Sequence, residues 1–408
     1  MVYPRVSLYA LMLAAAGIPL YIHLPRFASV NLGINLATAG GLLLAVRIVD
    51  LVQDPAFGWA VDRWPGAQTV FALAAAAGLA AGFPLLFMMA PGPHAALRLG
   101  GVLVLLFSAY SLGMILLYGR SAALASQPDA SALTDLAAWR EAGMLAGVIL
   151  AAAAPAALAA LGAGGRGYPA FGLFLGAIAL AAGLLSLPLW RRPAPAARQL
   201  SLAGLRQAGA LRLLVLAMVN ALPVAVTSTL FLFFTEDRLQ LAGMAGPLLI
   251  LFFLSAGLSV PAWAALSRRI GARAALLMAM PLAILSFAGA AQLAPGNLAG
   301  FAVICLASGA ALGADMVLLP AMFSIALARA GLKASLAFGI WSFAGKLALA
   351  LAAFATLPML ERSGFTPGSA NSASALATLN IFYAVVPCVL KLGAFALVLA
   401  LPTEEKTA

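Results

Sequence analysis

Apolar residues run through this chain in long stretches, broken at intervals by short clusters of polar, Gly and Pro residues. Punctuating at those clusters gives twelve apolar segments, at approximately 6–28, 35–61, 69–91, 97–121, 137–163, 168–190, 211–234, 241–267, 273–293, 298–328, 333–360 and 376–402. At a rise of about 1.5 Å per residue, about twenty residues cross a hydrocarbon core about 30 Å thick. The pattern therefore predicts an all-α membrane protein with twelve transmembrane helices. Composition points the same way, with 64% of residues hydrophobic, 9% charged and a mean hydropathy of +1.07. A soluble domain is nearer half apolar and a quarter charged. The opening Met1-Val-Tyr-Pro-Arg5 and the apolar run behind it imitate a signal peptide. With no soluble domain expected after it, 6–28 reads as the first span. Ala-rich runs such as Ala74–Ala77 and Ala151–Ala154 predict close helix approach.

The net charge of +11 would suggest nucleic acid as the partner of a soluble protein. Here topology accounts for it. An even number of spans puts both termini on one side, and that side collects fifteen Lys and Arg residues, Arg140, the Arg191–Arg212 group and Lys406 among them. The other side collects five: Arg26, Arg98, Arg166, Arg238 and Arg362. The positive-inside rule then predicts cytoplasmic termini in a bacterial-type inner membrane. Membrane lipids and a small-molecule substrate are the expected partners, nucleic acid is not, and the chain reads as a monomer. Arg191-Arg-Pro-Ala-Pro-Ala-Ala-Arg198 is a basic, Pro/Ala-rich linker at mid-chain. It divides the sequence into a six-span half at 1–190, a cytoplasmic linker at 191–210 and a second six-span half at 211–408. The halves share a local pattern: Pro55-Ala-Phe leads to Arg63 and Gly66-Ala67, and Pro261-Ala-Trp leads to Arg269 and Gly271-Ala272, a shift of 206, or 205 after one gap. A duplication, and hence two pseudo-symmetric halves, explains it.

Charged residues inside apolar spans carry the candidate chemistry. Arg47, Asp50 and Asp54 sit at i, i+3 and i+7, which places them on one helix face. An ionised side chain at bilayer depth costs about 2.5–3.5 kcal/mol or more, so such residues face a cavity or a partner. Two carboxylates one turn apart repel, while Arg47 on the same face favours their charged forms. Such a cluster exchanges a proton or binds a monovalent cation, or else it is a static salt-bridge network. Asp315 and Lys391 lie within spans 10 and 12 at depths that differ by about 3 Å. Cys305 and Cys388 fall in apolar runs and read as small hydrophobes, with no disulfide or metal expected. His23 and His94 read as outer-loop residues without grouped partners, and no nucleophile–base set marks an enzyme.

Six plus six spans, the basic linker and the loop motif Gly58-x-x-x-Asp62-Arg63 resemble the major facilitator superfamily. Arg47-x-x-Asp50-x-x-x-Asp54-Pro55-x-x-Gly58 is similar to helix 2 of its glycoside–pentoside–hexuronide cation symporters, the melibiose permease group. Arg140 with Leu145-Ala-Gly147 resembles that family's helix 5, and Ile340-Trp-Ser-Phe-Ala-Gly-Lys346 its helix 11. The resemblance implies alternating access, a coupling cation (H+ or Na+) at Asp50, Asp54 and Lys346, and no other cofactor. It also implies solute contacts near Arg47, Tyr118, Arg140 and Trp341, and neighbouring helices 10 and 12, so that Asp315 and Lys391 form a structural pair. A sugar or glycoside is the implied solute. The chain departs from the family in two places: Trp64–Gln68 lacks the usual basic residue, and spans 1 and 4 contain no acid. Tyr9, Tyr21, Tyr110, Ser111, Tyr118 and Trp341 are the polar groups offered instead, which keeps an exporter or a lysolipid transporter open as the alternative. Few hydroxyls near Gly113-Met114 tip the reading from sodium toward protons.

Overall fold

The computed structural model describes the chain except residues 1, 18, 25, 26, 29, 30, 35, 126–129, 159–166, 194–196, 367 and 403–408, and except the side chains of 21, 22, 36, 37, 40, 152 and 156. Arg26, Arg166 and Lys406 of the charge asymmetry, Asn35 at the start of the second run and the Tyr21 side chain lie outside the described residues.

The apolar runs become helices: α1 (Tyr3–Ala14), α2 (Leu36–Arg63), α3 (Gln68–Phe87), α4 (Ala95–Gly119), α5 (Ala130–Leu158) and α6 (Gly167–Trp190), then α7 (Ala210–Phe233), α8 (Ala245–Ile270), α9 (Ala272–Ala290), α10 (Leu298–Arg329) and α11 (Ser335–Arg362). The last, α12, is Ala373–Asn380 continued through a π-helical stretch Ile381–Val385 into Val386–Leu399. Among the described residues ten helices are long and apolar enough to cross a membrane. The other two are α1, of 12 residues, and α2, the 28-residue helix that carries Arg47, Asp50 and Asp54. Proline lies inside many of these helices, Pro55, Pro84, Pro223 and Pro320 among them. Neighbouring helices and local π or 3₁₀ turns re-satisfy the backbone that a proline frees.

The chain divides into two compact units. One holds residues 1–204 with 327–343, the other 205–326 with 344–408. The division falls within α10, whose last three residues belong to the first unit, and within α11, whose first two turns do.

In the first unit α1 lies along α5 and α6, α3 along α4 and α6, and α2 along α4. Gly143 and Gly147 of α5 meet the backbone of Ser7 and Leu11 of α1, where a Cβ would collide. The Ser7 hydroxyl donates to the Trp139 carbonyl at 2.5 Å beside that contact. Part of the mid-chain linker is ordered against the segment before α11: the Arg198 amide donates to the Gly331 carbonyl at 2.6 Å, and the Lys333 amide donates to the Arg198 carbonyl at 2.9 Å. His23 is not a solvated loop residue. It ends a π-helical turn, Pro19–His23, and packs half-buried on the rings of Tyr168 and Phe171. His94 is exposed at the start of α4.

In the second unit α12 lies along α7 and α9, and α8 along α9. Gly309 and Gly313 press α10 onto Phe252 and Ala256 of α8, and Ser259 and Trp263 donate to the Ala310 carbonyl at 3.0 and 2.7 Å. Phe234 stacks on Tyr383 at 3.8 Å, where the π-helical stretches Phe234–Arg238 and Ile381–Val385 meet.

Candidate functional site

The helical period of α2 does what the spacing predicts: Asp50 and Asp54 share a face and neither has any solvent exposure. Arg47 Nη1 donates to Asp50 Oδ2 at 3.2 Å, and its guanidinium lies over the Phe107 ring at 4.8 Å. Gln53 Nε2 donates to Asp50 Oδ1 at 2.7 Å, and Ser108 Oγ of α4 donates to Gln53 Oε1 at 2.7 Å. Four residues on, Asp54 Oδ2 accepts from Ser342 Oγ of α11 at 2.6 Å. That bond depends on close approach, since a Cβ at Gly339 would stand 2.6 Å from the Asp54 carbonyl oxygen. Sequence patterns alone do not single out Gln53, Ser108 or Ser342. Gln53 follows Asp50 by three residues and Ser342 precedes Lys346 by four, so both helical registers were available in the sequence. Ser108 and Ser342 bring hydroxyls to this face from α4 and α11. Lys346 belongs to the second unit, on the part of α11 beyond Phe343, and is half-buried there.

The loop motif has a mechanical basis. Asp62, at the end of α2, receives the Ser335 amide at 3.2 Å and the Leu336 amide at 2.8 Å, which caps the first turn of α11. Lys333 Nζ donates to the Asp62 carbonyl at 2.7 Å. Burial pushes the Asp62 carboxyl up from the ordinary carboxylate range, and the Leu336 and Ser335 donors pull it back down. One turn earlier, a Cβ at Gly58 would lie 2.5 Å from the Ser335 carbonyl oxygen, so only glycine admits this approach. Arg63 is exposed.

Arg140 counts among the fifteen cytoplasmic-side charges when hydropathy sets the span ends, but only 2% of it is exposed. The reason is that α5 starts at Ala130, two turns before the apolar run does. Its guanidinium stacks on the Tyr118 ring at 3.6 Å, and Nε donates to Glu141 Oε1 at 3.0 Å. Tyr118 Oη donates to the same oxygen at 3.1 Å. Glu141 is a further residue that sequence patterns do not mark. Trp341 joins this region through rings, packed on Phe338 at 6.0 Å, which packs on Tyr118 at 5.5 Å. Tyr9 is buried against Trp190 at 4.7 Å.

In the second unit Lys391 Nζ donates to Asp315 Oδ2 at 2.5 Å and to Asn220 Oδ1 at 2.7 Å. Asn220, from α7, is the third member of a buried set that joins α7, α10 and α12.

Residues 6–405 match the family model described as MFS/sugar transport protein. The chain belongs to that family. It is the melibiose permease-like group of the major facilitator superfamily, so this is an integral membrane transporter and not an enzyme. Solved transporters share the fold over nearly its whole length. A bacterial homologue of the iron transporter ferroportin, in its outward-facing state, has a TM-score of 0.67 at 16% identity and covers 97% of this transporter and 100% of its own chain. The human organic anion transporter MFSD10 (TETRAN) gives 0.62 at 18% identity, with 97% and 98% covered. The superfamily transporter FucP, in its outward conformation, gives 0.67 at 13% identity, with 97% and 99% covered. No curated protein matches the sequence.

Proposed function

We propose that this transporter is a symporter that couples H+ or Na+ to a small organic solute such as a sugar or glycoside, by alternating access. The α2 cluster supports the reading most: two carboxylates with no solvent exposure, one turn apart, each already held by a neutral hydrogen-bond donor. Ionisable groups kept inside a membrane mark ion pathways. In this reading Asp50 and Asp54 take the cation, and Arg47 tunes Asp50. Lys346, one turn past Ser342 along α11, is the counter-charge that replaces the cation when it leaves. Arg140, Tyr118 and Trp341 belong to the solute path, and Asp315 with Lys391 to the scaffold. Coupling requires only that cation and solute favour the same state, because each then raises the other's affinity equally. The halves 1–190 and 211–408, joined by the 191–210 linker, are the moving parts, with both termini cytoplasmic in a bacterial-type inner membrane.

The test begins with ligand-induced thermal stabilisation of the purified transporter by sugars, lysolipids and cations. Uptake of the stabilising solute into proteoliposomes under an imposed proton or sodium gradient follows. Asp54→Asn should abolish accumulation against a gradient while leaving solute exchange measurable. Undiminished accumulation by Asp54→Asn would make the cluster a static salt-bridge network. An exporter or lysolipid transporter is the second reading, favoured by the absence of any acid in spans 1 and 4. Stabilisation by lysolipids with none by sugars selects it.

A further inference from the structure

We propose that Glu141 is a proton-binding site of its own, taking up one proton on Oε2. Its two oxygens are treated unequally. Oε1 accepts from Arg140 Nε at 3.0 Å and from Tyr118 Oη at 3.1 Å. Oε2 is buried and, among the described residues, has no hydrogen-bond partner. A bare carboxylate oxygen out of water is costly, and an O–H bond at that oxygen removes the cost. The carbonyl oxygen of the resulting acid is Oε1, which keeps both donors, so loading breaks no existing hydrogen bond. The proton comes from bulk water and returns to it.

The cation beside it tolerates the change. Protonation of Glu141 takes away the counter-charge of Arg140, but the guanidinium still lies on the Tyr118 ring at 3.6 Å. A face-on ring holds a desolvated cation without a carboxylate. Arg140 Nη2 is itself buried without a hydrogen-bond partner, so loading Glu141 leaves Arg140 as a net positive group with donor capacity to spare.

The groups around Glu141 make this a local titration. Arg140 adjoins it on α5, with Asp135 nearly two turns earlier. From α4 come Tyr118 and, electrostatically behind it, Tyr110. Helix α1 carries Tyr3, which donates to the Ala132 carbonyl, the exposed Arg5 and the buried Tyr9. Helix α6 carries Tyr168, packed among Phe27, Phe87 and His23. The inference stands apart from coupling at Asp50 and Asp54, since either set can bind a proton without the other.

The probe is the proton itself. Infrared difference spectra of the transporter in proteoliposomes, recorded across a pH titration, should contain a protonated-carboxyl band that disappears in Glu141→Gln and persists in the Asp50→Asn/Asp54→Asn double variant. Superimposable spectra for wild type and Glu141→Gln would overturn the proposal. Should Glu141→Gln fail to fold, Tyr118→Phe serves in its place. It keeps the ring under Arg140 and removes one donor to the carboxylate, so the band should titrate at higher pH, with proton affinity raised about 3–10-fold. An unshifted midpoint in that variant also overturns it.

Discussion

Among the described residues a buried ion pair in each unit stands out, Lys391–Asp315 in the second and Arg140–Glu141 in the first, and the two are connected differently. Lys391 and Asp315 come from different helices, 76 residues apart, and Lys391 also reaches Asn220 on a third. Arg140 and Glu141 are consecutive on α5 and, among the described hydrogen bonds and ring contacts, meet another helix at Tyr118. The first pair exists because three helices are in register. The second lies within one helix, and the ring and hydroxyl of Tyr118 come to it from α4. The cations differ accordingly: Lys391 rests on two oxygens, Arg140 on one oxygen and a ring face. Losing the acid should therefore strand Lys391 but not Arg140. In physical terms the second-unit set is a tie between helices, and the first-unit set is able to change its protonation state.

The largest effect should come from breaking the tie. Asp315→Asn or Lys391→Met leaves an unpaired charge in the interior and should cost about 3–5 kcal/mol in unfolding experiments in detergent. Combining both changes should recover much of that loss. A double variant no more stable than the worse single one would show that the pair does not hold these helices together.

A smaller and lopsided effect is expected in the first unit. Glu141→Gln keeps Arg140 on its ring and should cost about 1–3 kcal/mol. Arg140→Met leaves Glu141 with the Tyr118 hydroxyl alone and should cost more than Glu141→Gln does, measured by the same unfolding assay. Equal losses for the two variants would remove the distinction between the pairs.

The difference between the sets also explains what is legible in the sequence. Depth along a helix is arithmetic, because the rise per residue is fixed, so counting residues is enough to set Asp315 and Lys391 at one level. Azimuth and inter-helix contact are not arithmetic, and Asn220, 171 residues from Lys391, leaves no trace of its partnership. Periodicity likewise reveals Asp50 and Asp54 as one face but not the Ser108 and Ser342 hydroxyls that other helices supply. Glu141 is hidden for another reason. Ala130-Ser-Ala-Leu-Thr-Asp135 is polar enough to read as a break between spans, yet it forms the first turns of α5. Arg140 and Glu141 are thereby carried from a supposed membrane edge into the interior. The π-helical turn Pro19–His23, which sets half-buried His23 against aromatic rings, has no signal in hydropathy at all.

The smallest effect tests the ring and the hydroxyl of Tyr118 separately. Tyr118→Phe keeps an aromatic face for Arg140 and deletes only the 3.1 Å bond to Glu141 Oε1. One neutral-donor hydrogen bond to a buried acceptor contributes about 1 kcal/mol net, and Arg140 Nε still serves that oxygen. A loss of about 1 kcal/mol is therefore expected for Tyr118→Phe in the detergent unfolding assay. Tyr118→Leu also removes the ring that carries the guanidinium, so it should cost distinctly more, by the cation–π contribution of up to about 2 kcal/mol in a desolvated site. If Phe and Leu destabilise equally, the ring does not support the Arg140 charge. Glu141 would then be its sole counter-charge, the first-unit pair would need its acid as much as Lys391 needs Asp315, and the two regions would differ in position but not in kind.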